Sequence, residues 1–157
     1  MRATSGKMPV MSWLIALWLI VSLIVPPALA APTGESPQHL YDKVMEEFHK
    51  KDYEAALAGF RFFLELHGRS SLASSAQYWI GECEYRLGRF RDAVASFEKV
   101  MTRYPGSPKL PAATYKKAVI YEKLGLHNES RILLERILVQ FPSTPEAELA
   151  KKSLKPQ

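Results

Sequence analysis

Cysteine is nearly absent: Cys83 is the only one in 157 residues. One thiol excludes an intramolecular disulfide and any cysteine-rich metal knuckle. Set between Glu82 and Glu84 in a helical pattern, it reads as a small buried hydrophobe rather than a reactive nucleophile. Residue-by-residue alternation of apolar and polar side chains is missing as well, which excludes a sheet. The four histidines, His39, His49, His67 and His127, have no spacing that would share a metal, and HExxH does not occur. His67 falls at an expected helix end, where a cation is favoured by the dipole alone. A glycine-rich phosphate loop, a nucleophile elbow and an isolated carboxylate pair are all lacking. Glu46 and Glu47, like Glu82 and Glu84, read as exposed helix charges. Catalysis is therefore not expected, and neither is a cofactor, a metal or a small-molecule substrate.

Charge of one sign is scarce too. The 21 Lys and Arg oppose 16 Asp and Glu, for a formal charge of +5. Arg2 and Lys7 fall in the first ten residues and no acid precedes Glu35, so the remainder carries 19 against 16. That excess is too mild for nucleic acid, and no stripe of interleaved basic and aromatic residues supports such a partner.

The amino terminus differs from everything after it. "MRATSGK" leads into the uncharged "MPVMSWLIALWLIVSLIV", then into Pro26, Pro27 and the small residues Ala28 and Ala30. A basic leader, an apolar core, helix breakers and an Ala-Leu-Ala site predict a secretory signal peptide over 1–30, cleaved between Ala30 and Ala31. The competing reading is an uncleaved inner-membrane anchor, because 18 apolar residues lie at the lower edge of what spans a bilayer. Membrane contact is then limited to that leader. In either case the folded part lies outside the cytoplasm. No cysteine follows the apolar core, so a lipoprotein is disfavoured. Residues 31–37, "APTGESP", form a linker into a domain over 38–157.

From there the periodicity is helical, and the chain repeats itself at a shift of 37. Tyr41 falls on Tyr78 and Tyr115, Ala56 on Ala93 and Ser130, Phe60 on Phe97 and Leu134, Gly88 on Gly125, and Pro105 on Pro142. The repeats span about 38–70, 71–107 and 108–144, and each predicts two antiparallel helices. In the middle copy these run from about Ser71 to Leu87 and from about Arg91 to Arg103. Gly88 and Gly125 supply the left-handed residue that ends a helix at no steric cost. Ala56 and Ala93 let paired helices approach, and Phe60 and Phe97 fill the space one turn on. "RYPGSPK" and "FPSTP" are junctions, in which Ser107, like Ser70 earlier, is expected to cap the next helix while Pro108 occupies its first turn. His127 and Ser130 stand where the other copies carry an aromatic and an alanine, which predicts looser packing in the third. "PEAELAKKSLKPQ" predicts a terminal capping helix over about 145–154, its lysines in solvent.

"YWIGECEYRLGRFRDAVASFEKVMTRYP" resembles a tetratricopeptide repeat, through Gly81, Tyr85, Gly88, Phe90, Ala93, Phe97 and Pro105 in order. With the longer period, "LYDKVMEEFHKKDYEAALAGFRFFL", "SSAQYWIGECEYRLGRF" and "SPKLPAATYKKAVIYEKLG" are similar to the carboxy-terminal domain of the Tol-Pal system protein YbgF family, also called cell division coordinator CpoB. The likeness covers roughly 38–154. It implies an all-α, tetratricopeptide-like helix-pair solenoid, and a periplasmic adaptor that binds TolA and links outer-membrane constriction to peptidoglycan synthesis at division. That family also carries a trimerising coiled coil, for which the linker leaves no room. An accessory of outer-membrane protein assembly, resembling BamD, is the alternative, but that family's lipid-bearing cysteine is missing. An inner-membrane-anchored scaffold is the other.

An array of helix pairs twists into a superhelix whose concave face is lined by the first helix of each pair. The repeat consensus directs Tyr41, Tyr78 and Tyr115 onto that face, with Phe48, Tyr85 and Glu122 two turns along. A tyrosine at each step offers contact area at low entropy cost and a hydroxyl for a partner's backbone, so the face is expected to hold an extended or helical peptide. Repeat phase sets these rings opposite the alanine–phenylalanine seam. Arg86, Lys116 and Lys123 flank them and suit an acidic partner.

Overall fold

The order of elements follows from the turn chemistry. In the computed structural model, which describes residues 36–155, seven helices and no strand are present among the described residues. They are α1 Pro37–His49, α2 Tyr53–His67, α3 Ala73–Arg86, α4 Phe90–Arg103, α5 Leu110–Lys123, α6 His127–Gln140 and α7 Pro145–Ser153. The leader over 1–30 and its expected cleavage between Ala30 and Ala31 lie outside the described residues.

Each helix pair closes through a residue of positive φ. Gly88 and Gly125 both sit at φ 75°, in the left-handed region that glycine enters without a Cβ clash. Thirty-seven residues upstream of Gly88 the same conformation is held by Lys51, at φ 66°. Asp52 then caps α2, its carboxylate accepting from the Ala55 N–H at 3.1 Å. Ser36 does the same for α1, accepting from the His39 N–H at 3.1 Å.

The junction serines do not cap helices as their sequence position suggests. Ser107 Oγ accepts from the Lys109 N–H at 3.0 Å, inside a turn, and α5 starts only at Leu110 with Pro111 in its first turn. Pro108 therefore lies before the helix. Ser70 Oγ is buried without a hydrogen-bond partner among the described residues, and α3 starts at Ala73 behind Leu72. The cause is an added turn, closed by Ser70 N–H to His67 O and Ala73 N–H to Ser70 O. It carries the hydroxyl away from the helix's free N–H groups.

The core falls into three clusters, one for each helix pair with its successor. The first gathers Leu40, Val44, Ala56, Leu57, Phe60 and Phe63 of α1 and α2 with Ala76, Ile80 and Cys83 of α3. The second joins Tyr78, Ala93, Phe97 and Val100 to Ala113 and Ile120. The third holds Ala118, Leu133, Leu134 and Ile137 against Ala147 and Ala150 of α7. Ala56, Phe60, Ala93 and Phe97 are fully buried, as the seam requires. Cys83 is buried and free. Ser130 is buried in its turn, and Lys151 and Lys152 of α7 face solvent.

Candidate functional site on the first-helix face

The first helices α1, α3 and α5 are stitched along one face by rings and cations. Phe48 of α1 lies 4.7 Å, centroid to centroid, from Trp79 of α3, and Trp79 lies 5.5 Å from Tyr78. Lys109, at the start of α5, sits over both, 5.4 Å from the Tyr78 ring and 5.8 Å from that of Trp79. Lys116 and Lys123 sit over Tyr85 at 5.6 and 5.9 Å. The three lysines recur every seventh residue, close to two helical turns, so they form one stripe along α5. A cation over an aromatic face is attracted by the ring quadrupole.

Of the three, only Lys116 has a carboxylate among the described residues, Glu82 Oε1 at 2.8 Å. Tyr78 donates its hydroxyl to the same oxygen at 3.5 Å. Glu82 and Glu84 are 3% and 2% exposed, which corrects the expectation that they are solvated surface charges. Both are tolerated because cations from neighbouring helices reach them: Lys116 for Glu82, and Arg61 Nη2 at 2.9 Å for Glu84 Oε1. Lys109 and Lys123 have no ion-pair partner among the described residues.

The tyrosines are not opposite the seam. Tyr41 meets Phe60 and Phe63 edge-on at 5.6 and 5.7 Å, and Tyr78 lies 5.5 Å from Phe97. Each ring bridges the seam and the face. Tyr78 is 8% exposed, so its truncation would open the core. Burial pushes its hydroxyl well above the ordinary tyrosine range, and the charges of Glu82 and Glu146 add to that. Burial also raises Tyr41, although hydrogen bonds from Trp79 and Ser75 pull the other way.

The expected groove residues thus divide. Tyr78, Tyr85, Lys116 and Lys123 come together, and Phe48 joins them through Trp79. Tyr85 is half-buried against Phe90 at 5.6 Å, and Arg86 is exposed. Tyr115 is half-buried beside the third core cluster. Glu122 turns toward the end of the helix pair and meets His127 Nδ1 at 2.7 Å. With Lys123, Ser130 and Ser153 it borders a cavity of about 310 Å³. Trp79 and Lys109 do not follow from the repeat consensus, although the seven-residue spacing of the lysines is visible in the sequence. Among the described residues no group of three or more His, Cys, Asp or Glu stands close enough to share a metal.

The tetratricopeptide repeat family matches residues 41–108 and again 86–145. Among solved structures, the Arabidopsis OM64 TPR domain is 19% identical, covering 76% of this chain and 94% of that one, with a TM-score of 0.63. A chain of a CopN-Scc3 complex is 18% identical, covering 88% and 84%, with a TM-score of 0.64. Likenesses at this identity speak to the fold, a helix-pair repeat. No curated protein matches the chain.

Proposed function

The chain belongs to the tetratricopeptide repeat family, and we propose that its first-helix face holds an extended acidic segment of a partner protein in the periplasm. Domains of this family are typically non-catalytic scaffolds for protein–protein interaction, so the coarse function is that of an adaptor. The observation that carries the finer reading is the lysine stripe. Lys109 and Lys123 lie over aromatic rings without a carboxylate partner among the described residues, and a partner's Asp or Glu would complete both pairs while its apolar side chains cover Tyr85 and Trp79.

The leader supports export, and the resemblance of residues 38–154 to the YbgF family supports a place in the Tol-Pal system. The partner proposed is a periplasmic segment of TolA, and the role is to connect outer-membrane constriction with peptidoglycan synthesis during division. Two experiments test the location and the partner separately. Protein recovered from cells is expected in the soluble periplasmic fraction with Ala31 as its first residue. An intact mass that includes Met1, found in the inner-membrane pellet, would favour the anchored scaffold. Binding of the TolA segment is expected in the micromolar range of a small, partly polar interface, and its absence would remove the Tol-Pal assignment while leaving the adaptor class in place.

A further inference from the structure

Helix α2 differs from its counterparts on the side turned away from the core. At the 37-residue shift, Phe62 and Leu66 correspond to Lys99 and Arg103 of α4 and to Arg136 and Gln140 of α6. Phe62 is 51% exposed and Leu66 57%. Ala55 and Ala58, also exposed, extend the same line, since spacings of three, four and four residues keep one face of a helix. At the two positions of Phe62 and Leu66 the first copy of the repeat thus presents large apolar side chains where the later copies present three cations and a glutamine. This stripe belongs to a second helix of a pair and is separate from the lysine stripe of the first-helix face.

We propose that the stripe is the contact of a two-fold dimer, in which α2 packs antiparallel on α2 of a second copy. The sequence of the stripe is self-complementary in that direction. With Ala55 facing Leu66 of the other copy, Ala58 comes opposite its Phe62, so each large side chain meets a small one. The same register brings Arg69 toward Asp52 of the other copy, and the two-fold repeats the pair. Both residues are exposed, and Arg69 has no ion-pair partner among the described residues. Parallel pairing would instead set Phe62 on Phe62 and Arg69 on Arg69, with large side chains and like charges opposed. The contact is isologous, so it closes at two copies. Four side chains per copy make it smaller than a permanent interface, so the dimer exchanges with monomer.

The test is sedimentation equilibrium of the protein as recovered from cells, from low micromolar to near-millimolar concentration. A monomer–dimer equilibrium is expected. Phe62→Lys with Leu66→Arg installs the residues that α4 carries at the same places, so folding is preserved and circular dichroism is unchanged. The dissociation constant should then rise about tenfold or more. A second variant, Ala55→Cys with Leu66→Cys, reads the direction. The two positions lie about 16 Å apart along one helix, too far to bridge within a chain, so mild oxidation should give dimers linked 55 to 66. A monomer at every concentration, a dimer indifferent to Phe62→Lys with Leu66→Arg, or cross-links running 55 to 55 would each overturn the proposal.

Discussion

The ammonium of Lys116 and the carboxylate of Glu82 meet at 2.8 Å, joining the second helix pair to the third, with side chains 27% and 4% exposed. Removing one member of such a pair leaves a buried charge without compensation, whereas removing both does not. Lys116→Met should therefore destabilise the protein by about 2–3 kcal/mol, less than a fully buried pair because the lysine still touches water. Adding Glu82→Gln should restore at least half of that loss. Urea unfolding of the four proteins measures the coupling. If the double variant is the least stable, the pair does not join the helices as described.

A Cβ built on Gly81 would lie 2.8 Å from Cε1 of Phe97, whose ring is fully buried. Gly81→Ala gains about 1 kcal/mol of helix propensity, but the clash with a ring that has nowhere to move should outweigh it. A net loss of about 1–2 kcal/mol is expected, and Phe97→Leu in the same chain should relieve part of it. Thermal melts decide the sign: a Gly81→Ala protein that melts higher than the parent would mean the α3–α4 contact is looser than the ring position indicates.

Lys51 stands at φ 66° where its repeat equivalents are Gly88 and Gly125. A side chain in that conformation is strained against the following carbonyl by about 1–2 kcal/mol, partly offset by glycine's greater freedom in the unfolded chain. Lys51→Gly should stabilise the protein by about 0.5–1 kcal/mol in urea unfolding. A loss of stability would show that the lysine has a role beyond closing the turn.

Gly88, Gly125, the alanines and the phenylalanines of the seam were legible because the backbone admits few residue types there and the repeat shows each requirement more than once. Ser70 and Ser107 were misread for a local reason. A serine before a helical pattern serves an added turn as readily as a cap. The burial of Glu82 and Glu84 was not legible at all. A carboxylate in an amphipathic pattern is solvated by default, and what changes that is Lys116 from the next pair and Arg61 from the previous one. Tyr78 follows the same logic, because its 8% exposure reflects Phe97 below it and Lys109 above it rather than anything in its own helix.

Burial pushes the Cys83 thiol up from its ordinary 9.0 to about 12, with Glu82 and Glu84 adding to the effect. Tyr78 is raised as well. Both groups are neutral when protonated, so the unfolded chain gives up these protons at lower pH than the folded one. The thiol's contribution is fully present below pH 9.0 and is lost as pH climbs toward about 12, and the tyrosine's begins to fall only above its ordinary 10.0. The urea midpoint should fall across that window, and Cys83→Ala should make the fall shallower. The thiol itself should react with a disulfide reagent at pH 8 only when the protein is unfolded. Rapid reaction of the native protein would contradict its burial.

In the proposed function the lysine stripe of α5 reads an acidic partner. Calorimetric titration of a periplasmic TolA segment into wild type and into Lys109→Ala with Lys123→Ala separates the outcomes, because those lysines have no internal carboxylate among the described residues and their removal leaves the Lys116–Glu82 pair in place. Micromolar binding by wild type is expected, weakened about tenfold or more in the double variant. Added salt should weaken wild-type binding only in part, since the rings contribute without charge. Equal binding by both proteins would contradict the claim and move the site off the first-helix face.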